Sequence, residues 1–203
     1  MFPPKPERPF FLLVAGPNGS GKSSAFQNAE IEAFGRSVWL INPDLLAARI
    51  RRVERLKIRQ ANLEAVRRIE AWLEASIAAH QTIGVETVLS TEKYRRLVTR
   101  AKELGYEIRL VYVILDSPKR NAERVRLRVR KGGHSVPKAK IFGRYTRSLE
   151  QLPWFLDEAD RAWIFDNSGA EPHLIGRKQA GVVELDTGAL DVIVKAVRTI
   201  QTE

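Results

Sequence analysis

Eight consecutive residues carry the clearest chemical signal in this 203-residue chain. Gly16-Pro17-Asn18-Gly19-Ser20-Gly21-Lys22-Ser23 matches G-x-x-x-x-G-K-[ST] at every fixed position. Glycines let a backbone wrap until several N–H groups point at one phosphate. A helix opening at the end of such a turn adds its positive dipole end. Lys22 is expected to bridge the β- and γ-phosphates of ATP. Ser23 is expected to hold Mg²⁺ through its hydroxyl, with Ser24 next in the cradle.

Three carboxylates stand where they could complete this chemistry. Asp44 follows Lys22 by 22 residues. It could accept the proton of an incoming hydroxyl and orient its oxygen for in-line attack, or cap a helix starting at Leu45, and the two roles are compatible. Glu86, in Val85-Glu86-Thr87, interrupts an apolar run, which is costly unless the carboxylate is paired or sits at the mouth of a cleft. It reads as a ligand for a substrate hydroxyl, with Thr87 beside it; a strand-end salt bridge is the alternative. Asp116 closes the apolar run Leu110–Leu115 in the manner of a Walker B acid, or caps the helix that follows.

The net charge of +10 is concentrated. Residues 119–147 hold 11 basic residues against one acid, Glu123, and the other 174 residues carry 23 basic and 23 acidic groups. Arg120, Arg124 and Arg128 are spaced by four and form one stripe on a helix; Lys140, Arg144 and Arg147 form another. Ala122, Val125 and Val129 are expected to anchor the first helix, and Ile141, Tyr145 and Leu149 the second. Lys131-Gly132-Gly133-His134-Ser135 lies between them as a flexible turn. Two cationic helices around a glycine hinge suggest a closing lid that brings arginines to a transferring phosphoryl group. A solvated helix face and a nucleic-acid backbone surface are the alternatives. With Tyr145 and Trp154 the nearest aromatics, a single-strand stacking platform is disfavoured.

These residues need a frame. Phe10–Ala15 is a short continuous apolar run, as expected for a strand buried on both faces. Further strands are expected at Val38–Ile41, Thr82–Leu89, Ile108–Leu115 and Ala162–Phe165, then a weak hairpin. Helices are expected from Lys22 to Ala33, Arg55 to His80, Thr91 to Leu104, Lys119 to Lys131, Ser135 and Pro137 to about Glu150, and Ala189 to Gln201. Leu63, Val66, Ile69, Leu73 and Ile77 mark the apolar face of the second of these. Strands alternating with helices imply an α/β fold, a P-loop NTPase or kinase-like parallel sheet with helices on both faces and a basic helical lid. Ligands then sit beyond the carboxyl ends of the strands, so Lys22, Asp44 and Glu86 are expected to converge. The length suits one domain over residues 1–203, with 1–9 as an extended tail and 119–147 as the lid.

Composition narrows the classes. There is no cysteine, so disulfide and thiolate chemistry are excluded. Three isolated histidines lack zinc-ligand spacing. No apolar run is long enough to span a membrane, and the N-terminus does not read as a signal peptide, so a cytoplasmic location is expected.

Together the motifs resemble the zeta-toxin-like family of P-loop kinases, in its branch with a GGH-x-V-P lid. The matching pieces are Gly16–Ser23, Asn42-Pro43-Asp44, Val85-Glu86-Thr87, Leu115-Asp116-Ser117-Pro118, Glu123-Arg124-Val125, Gly132-Gly133-His134-Ser135-Val136-Pro137 and Asp166-Asn167-Ser168. Zeta toxins phosphorylate a sugar hydroxyl of UDP-N-acetylglucosamine. The resemblance implies Asp44 as catalytic base, Glu86 as the acid that contacts substrate, Lys22 as the P-loop lysine and Arg124 as one lid arginine. The family's second lid arginine falls near His134, and Arg128, Arg130 or Arg144 stands in for its charge. Asn167 follows the fifth strand, where related kinases pass the adenine. An antitoxin partner is also implied.

The favoured reading is a kinase that moves the ATP γ-phosphate to a small, anionic acceptor, with UDP-N-acetylglucosamine or another nucleotide sugar as candidates. His134, Arg144, Glu86 and Thr87 would line the acceptor side. A polynucleotide or nucleoside kinase, and a P-loop ATPase acting through a protein partner, are the alternatives.

Overall fold

The structure, a computed structural model, describes residues 8–24, 38–133 and 135–200. Among the described residues, seven strands form one sheet: β1 (Phe10–Ala15), β2 (Leu40–Ile41), β3 (Ile83–Thr87), β4 (Glu107–Ile114), β5 (Arg161–Asp166), β6 (His173–Gln179) and β7 (Val182–Leu185). Their order across the sheet is β2-β3-β1-β4-β5-β6-β7. Strands β1 to β5 run parallel, and β6 and β7 add an antiparallel hairpin at one edge. That hairpin turns on Ala180-Gly181, both at positive φ (50° and 81°), as in the two-residue turns that match strand twist. Six further helices are described: α1 (Pro43–Val53), α2 (Ile58–Ala78), α3 (Arg95–Glu103), α4 (Pro118–Arg130), α5 (Lys138–Glu158) and α6 (Asp191–Arg198). The helix expected from Lys22 to Ala33 is described only in its first turn, Lys22–Ser24. No described helix is long and apolar enough to cross a membrane.

The central strands are buried on both sides, which is why their sequences read as unbroken apolar runs. Phe11, Leu13 and Ala15 of β1 join Leu110, Tyr112 and Ile114 of β4 in the main core, with side chains from α2, α3, α5 and α6. Their neighbours Phe10, Leu12, Val14, Val111 and Val113 form a second cluster on the opposite face.

Several boundaries differ from the expected ones for local reasons. The helix expected from Arg55 begins at Ile58, because Arg55 takes a positive φ of 54° and turns the chain between α1 and α2. The buried stripe of α2 is Ala61, Ala65, Ile69, Leu73, Ser76 and Ile77, and Leu63 lies off it, 72% exposed. Asn42, not Asp44, caps α1: its side-chain oxygen accepts from the Asp44 and Leu45 N–H groups. Likewise Ser117, not Asp116, caps α4. Helix α5 has no side-chain cap from Ser135, and it continues to Glu158 because Leu152, Phe155 and Leu156 extend its buried face past Pro153. On α4, Val125 is buried as expected, but Val129 is exposed. Of the expected tail, Arg8 is tied down: it donates to the carbonyls of Gly105 and Tyr106, both at 2.6 Å.

Leu73 is fully buried where α2 meets the sheet. Leu73→Ala should cost about 2–5 kcal/mol, read as a lower urea midpoint with an unchanged m-value.

Candidate active site

The phosphate loop leaves the carboxyl end of β1 and lies between the ends of β3 and β4. Its glycines are required by geometry. Gly16 has φ 140°, and a Cβ there would lie 2.0 Å from the Val113 carbonyl oxygen. Gly21 has φ 90°, and its Cβ would lie 2.3 Å from Asn167 Nδ2. The loop closes on itself through Lys22, which donates to the carbonyls of Gly16 at 2.8 Å and Pro17 at 3.1 Å.

Lys22 is only 7% exposed. Burial lowers its pKa to about 8, against the pull of the Glu86 and Asp44 carboxylates; Arg128 and Arg144 push it the same way as burial. Lys22 and Glu86 line one cavity, while Asp44, outside that lining, acts on the ammonium through its field.

Glu86 sits near the end of β3, opposite Val14 of β1. One of its oxygens, Oε2, accepts from Ser23 Oγ at 2.8 Å and from Asn42 Nδ2 at 2.8 Å. Asn42 thus joins the capped end of α1 to the loop serine, a link for which sequence reasoning assigned no role. Asp44 is exposed on the first turn of α1. Thr87 pairs with Ala15 across the sheet, and its hydroxyl accepts from the Leu89 N–H.

A cavity of about 520 Å³ opens over the loop, lined by Gly19, Gly21, Lys22, Ser23, Ser24, Glu86, Arg124, Arg128 and Asn167 among others. Arg124 Nη2 donates to the Asn167 carbonyl at 2.7 Å. Arg144 Nη1 donates to Asn18 Oδ1 at 3.0 Å, so it meets the back of the loop. Asp116 pairs with Arg120 at 2.9 Å and accepts from Ser117. His134 lies outside the described residues. The residues sequence reasoning missed are Asn42 and Asn121, the latter donating to the Asn18 carbonyl at 2.7 Å from a fully buried position. An asparagine between two arginines of a helix gives no sequence signal of its own.

A glycine-rich loop and a buried ammonium lining an open cavity suit a polyphosphate. Lys22 sets the pH range. Its proton is half lost near pH 8, and a bound polyanion favours the charged form, so polyphosphate binding takes up a proton above that pH. The dissociation constant for tripolyphosphate should rise as pH passes about 8, by up to about tenfold per unit, measured by calorimetry in buffers of different ionisation heat.

Comparison with known proteins bears on the family and the fold. A model of the Zeta toxin family matches residues 2–175. An uncharacterized protein of Haemophilus influenzae is 26% identical over 136 residues, 66% of this chain and 91% of that protein. Among solved structures, AvrRxo1-ORF1:-ORF2 with ATP superimposes with a TM-score of 0.68 at 16% identity, over 95% of this chain and 63% of that one. The PezAT chromosomal toxin–antitoxin system of Streptococcus pneumoniae gives 0.63 at 13% identity, over 97% and 86%. This chain therefore spans slightly less than two thirds of the AvrRxo1 chain. At such identities the structural likeness is one of fold, a P-loop kinase-like α/β sheet. The family model carries the further conclusion: the chain belongs to the Zeta toxin family.

Proposed function

We propose that this protein is a phosphotransferase that moves the γ-phosphate of ATP to a hydroxyl of a small anionic acceptor. One observation carries the reading: a buried P-loop lysine, in the field of two carboxylates, Asp44 and Glu86, lines a cavity with Arg124 and Arg128, and Arg144 is bonded to the loop. Membership of the Zeta toxin family supports it, as does the ATP in the AvrRxo1 crystal structure.

In this reading the loop N–H groups and Lys22 hold the β- and γ-phosphates. Asp44, free of any capping duty through its side chain, accepts the proton of the acceptor hydroxyl while that oxygen attacks in line. Arg124 and Arg128 face the cavity, where they offset charge on the transferring group. Ser23 and Glu86 fit a magnesium ion, since Mg²⁺ takes one or two protein oxygens beside phosphate oxygens. When bound, such an ion neutralises the phosphates. Glu86 then stands at the junction of metal and acceptor, and Thr87 and His134 remain assigned to the acceptor side.

The concentrated positive charge at residues 119–147 favours an anionic acceptor, and a nucleotide sugar such as UDP-N-acetylglucosamine is the first to try. A nucleic-acid strand is disfavoured by the aromatics. Tyr145 is buried and donates to the Leu115 carbonyl, and Trp154 packs on Phe155 beneath Arg95. We further assign an antitoxin protein as partner, in line with the toxin–antitoxin origin of the PezAT structure, and a cytoplasmic site of action.

Transfer from γ-labelled ATP with Mg²⁺ to a panel of nucleotide sugars, nucleosides and a short oligonucleotide tests this. Label should appear in a nucleotide sugar, and Asp44→Asn should lower kcat by about 10²–10⁴-fold while ATP still binds. Label confined to free phosphate would overturn the acceptor assignment and favour an ATPase acting through a protein. Glu86→Gln should raise the Mg²⁺ concentration needed for half-maximal ATP binding. An unchanged Mg²⁺ requirement with a raised acceptor KM would place Glu86 on the acceptor alone.

A further inference from the structure

Two asparagines grip the phosphate loop, Asn121 from outside the cavity over it and Asn167 from that cavity's wall. Asn121 of α4 is fully buried, and its Nδ2 donates to the Asn18 carbonyl at 2.7 Å. Asn167, at the end of β5, is 7% exposed, and its Nδ2 donates to the Ser20 carbonyl at 2.8 Å. Both attachments are tight. A Cβ on Gly19 would lie 2.6 Å from the Asn121 carbonyl oxygen and 2.9 Å from Val125 Cγ2, and one on Gly21 would lie 2.3 Å from Asn167 Nδ2. Helix α4 and the β5 end therefore rest directly on the loop.

A trans peptide is planar, and its C=O and N–H point in opposite directions. Pulling the Asn18 carbonyl toward α4 turns the N–H of Gly19 the other way. Pulling the Ser20 carbonyl toward Asn167 does the same for the N–H of Gly21. Gly19 and Gly21 both line the cavity over the loop, whereas Asn121 does not. We propose that Asn121 and Asn167 are positioning residues that aim the Gly19 and Gly21 N–H groups at a polyphosphate. This rests on the nucleotide-binding part of the reading above and is independent of the acceptor. It gives Asn167 a role toward phosphate in place of adenine.

The arrangement also ties the loop to the arginines. Asn121 and Arg124 lie one turn apart on α4, and Arg124 donates to the main chain of Asn167. Helix α4 thus contributes Asn121, Arg124 and Arg128 to the phosphate site, and the stretch from Arg126 to Gly133 is exposed.

The test compares Asn121→Asp, Asn121→Ala, Asn167→Asp and Asn167→Ala with the wild type, using those variants that keep the native circular dichroism spectrum. Dissociation constants are measured by calorimetry for ATP, for tripolyphosphate, which has no base, and for adenosine, which has no phosphate. The expected result is a loss of about tenfold or more for ATP and tripolyphosphate, by the same factor, with adenosine unchanged. Tripolyphosphate binding within about twofold of wild type in a folded variant would overturn the role of that asparagine. Parallel losses for adenosine, together with a falling thermal midpoint, would show general loosening and overturn it equally. A drop for ATP and adenosine with tripolyphosphate intact at Asn167 would return that residue to the base. Wild-type protein that bound neither ATP nor tripolyphosphate would remove the nucleotide reading itself, and this proposal with it.

Discussion

The candidate site is organised around the buried positive charge of Lys22. An ammonium taken from water is stabilised only where oxygens replace its hydration. Lys22 finds two of them in the loop's own carbonyls, at Gly16 and Pro17, and the field of Glu86 and Asp44 beyond. Burial still outweighs these partners, since the pKa falls to about 8. A phosphate chain, with several negative oxygens, suits such a poorly solvated cation. The loop is thus a closed shape whose electrostatics favour an anion.

Holding that shape requires partners for every carbonyl that the wrap pushes outward. Carbonyls turned into the protein need donors, because an unpaired buried acceptor costs roughly 1–3 kcal/mol. Asn121, Asn167 and Lys22 supply them from α4, from the end of β5 and from the loop itself. Arg144 adds a bond to the Asn18 side chain from α5. Because these donors come from four separate segments, the loop's conformation depends on the whole parallel sheet being in register. The bond from the Asn167 N–H to the Ile114 carbonyl shows this: it extends the β4–β5 ladder just far enough to place the Asn167 amide.

The same bonds limit what the basic segment can do as a lid. The first two turns of α4 are bound to the loop, and Asp116 is occupied with Arg120. Among the described residues of the segment, the longest exposed stretch is 126–133, the later turn of α4 and the glycine turn after it. Arg128 lies in that exposed stretch and lines the cavity, as does Arg124, which also donates to the main chain of Asn167.

Much of this was legible in the sequence, because it depends on local patterns. An apolar run before a glycine turn announces a buried strand and a phosphate loop, and Asp44 stands out as a carboxylate just past the second expected strand. The order of strands and helices, the parallel core and the edge hairpin follow from the same periodicities. Helix ends were less legible. Caps at Asn42 and Ser117, the positive φ at Arg55 and the continuation of α5 past Pro153 depend on competition among neighbours of similar propensity. What only the tertiary structure decided is pairing at a distance. Asn121 to Asn18, Asn167 to Ser20 and Glu86 to Ser23 join residues 103, 147 and 63 positions apart. No periodicity encodes such pairs, since each arises only when the parallel sheet brings the carboxyl ends of its strands together and the loop must satisfy its carbonyls there. The sequence determined that a phosphate loop exists and which charges accompany it; the fold decided which side chains hold the loop in shape, because buried polar groups bond with whatever donors the packing places beside them.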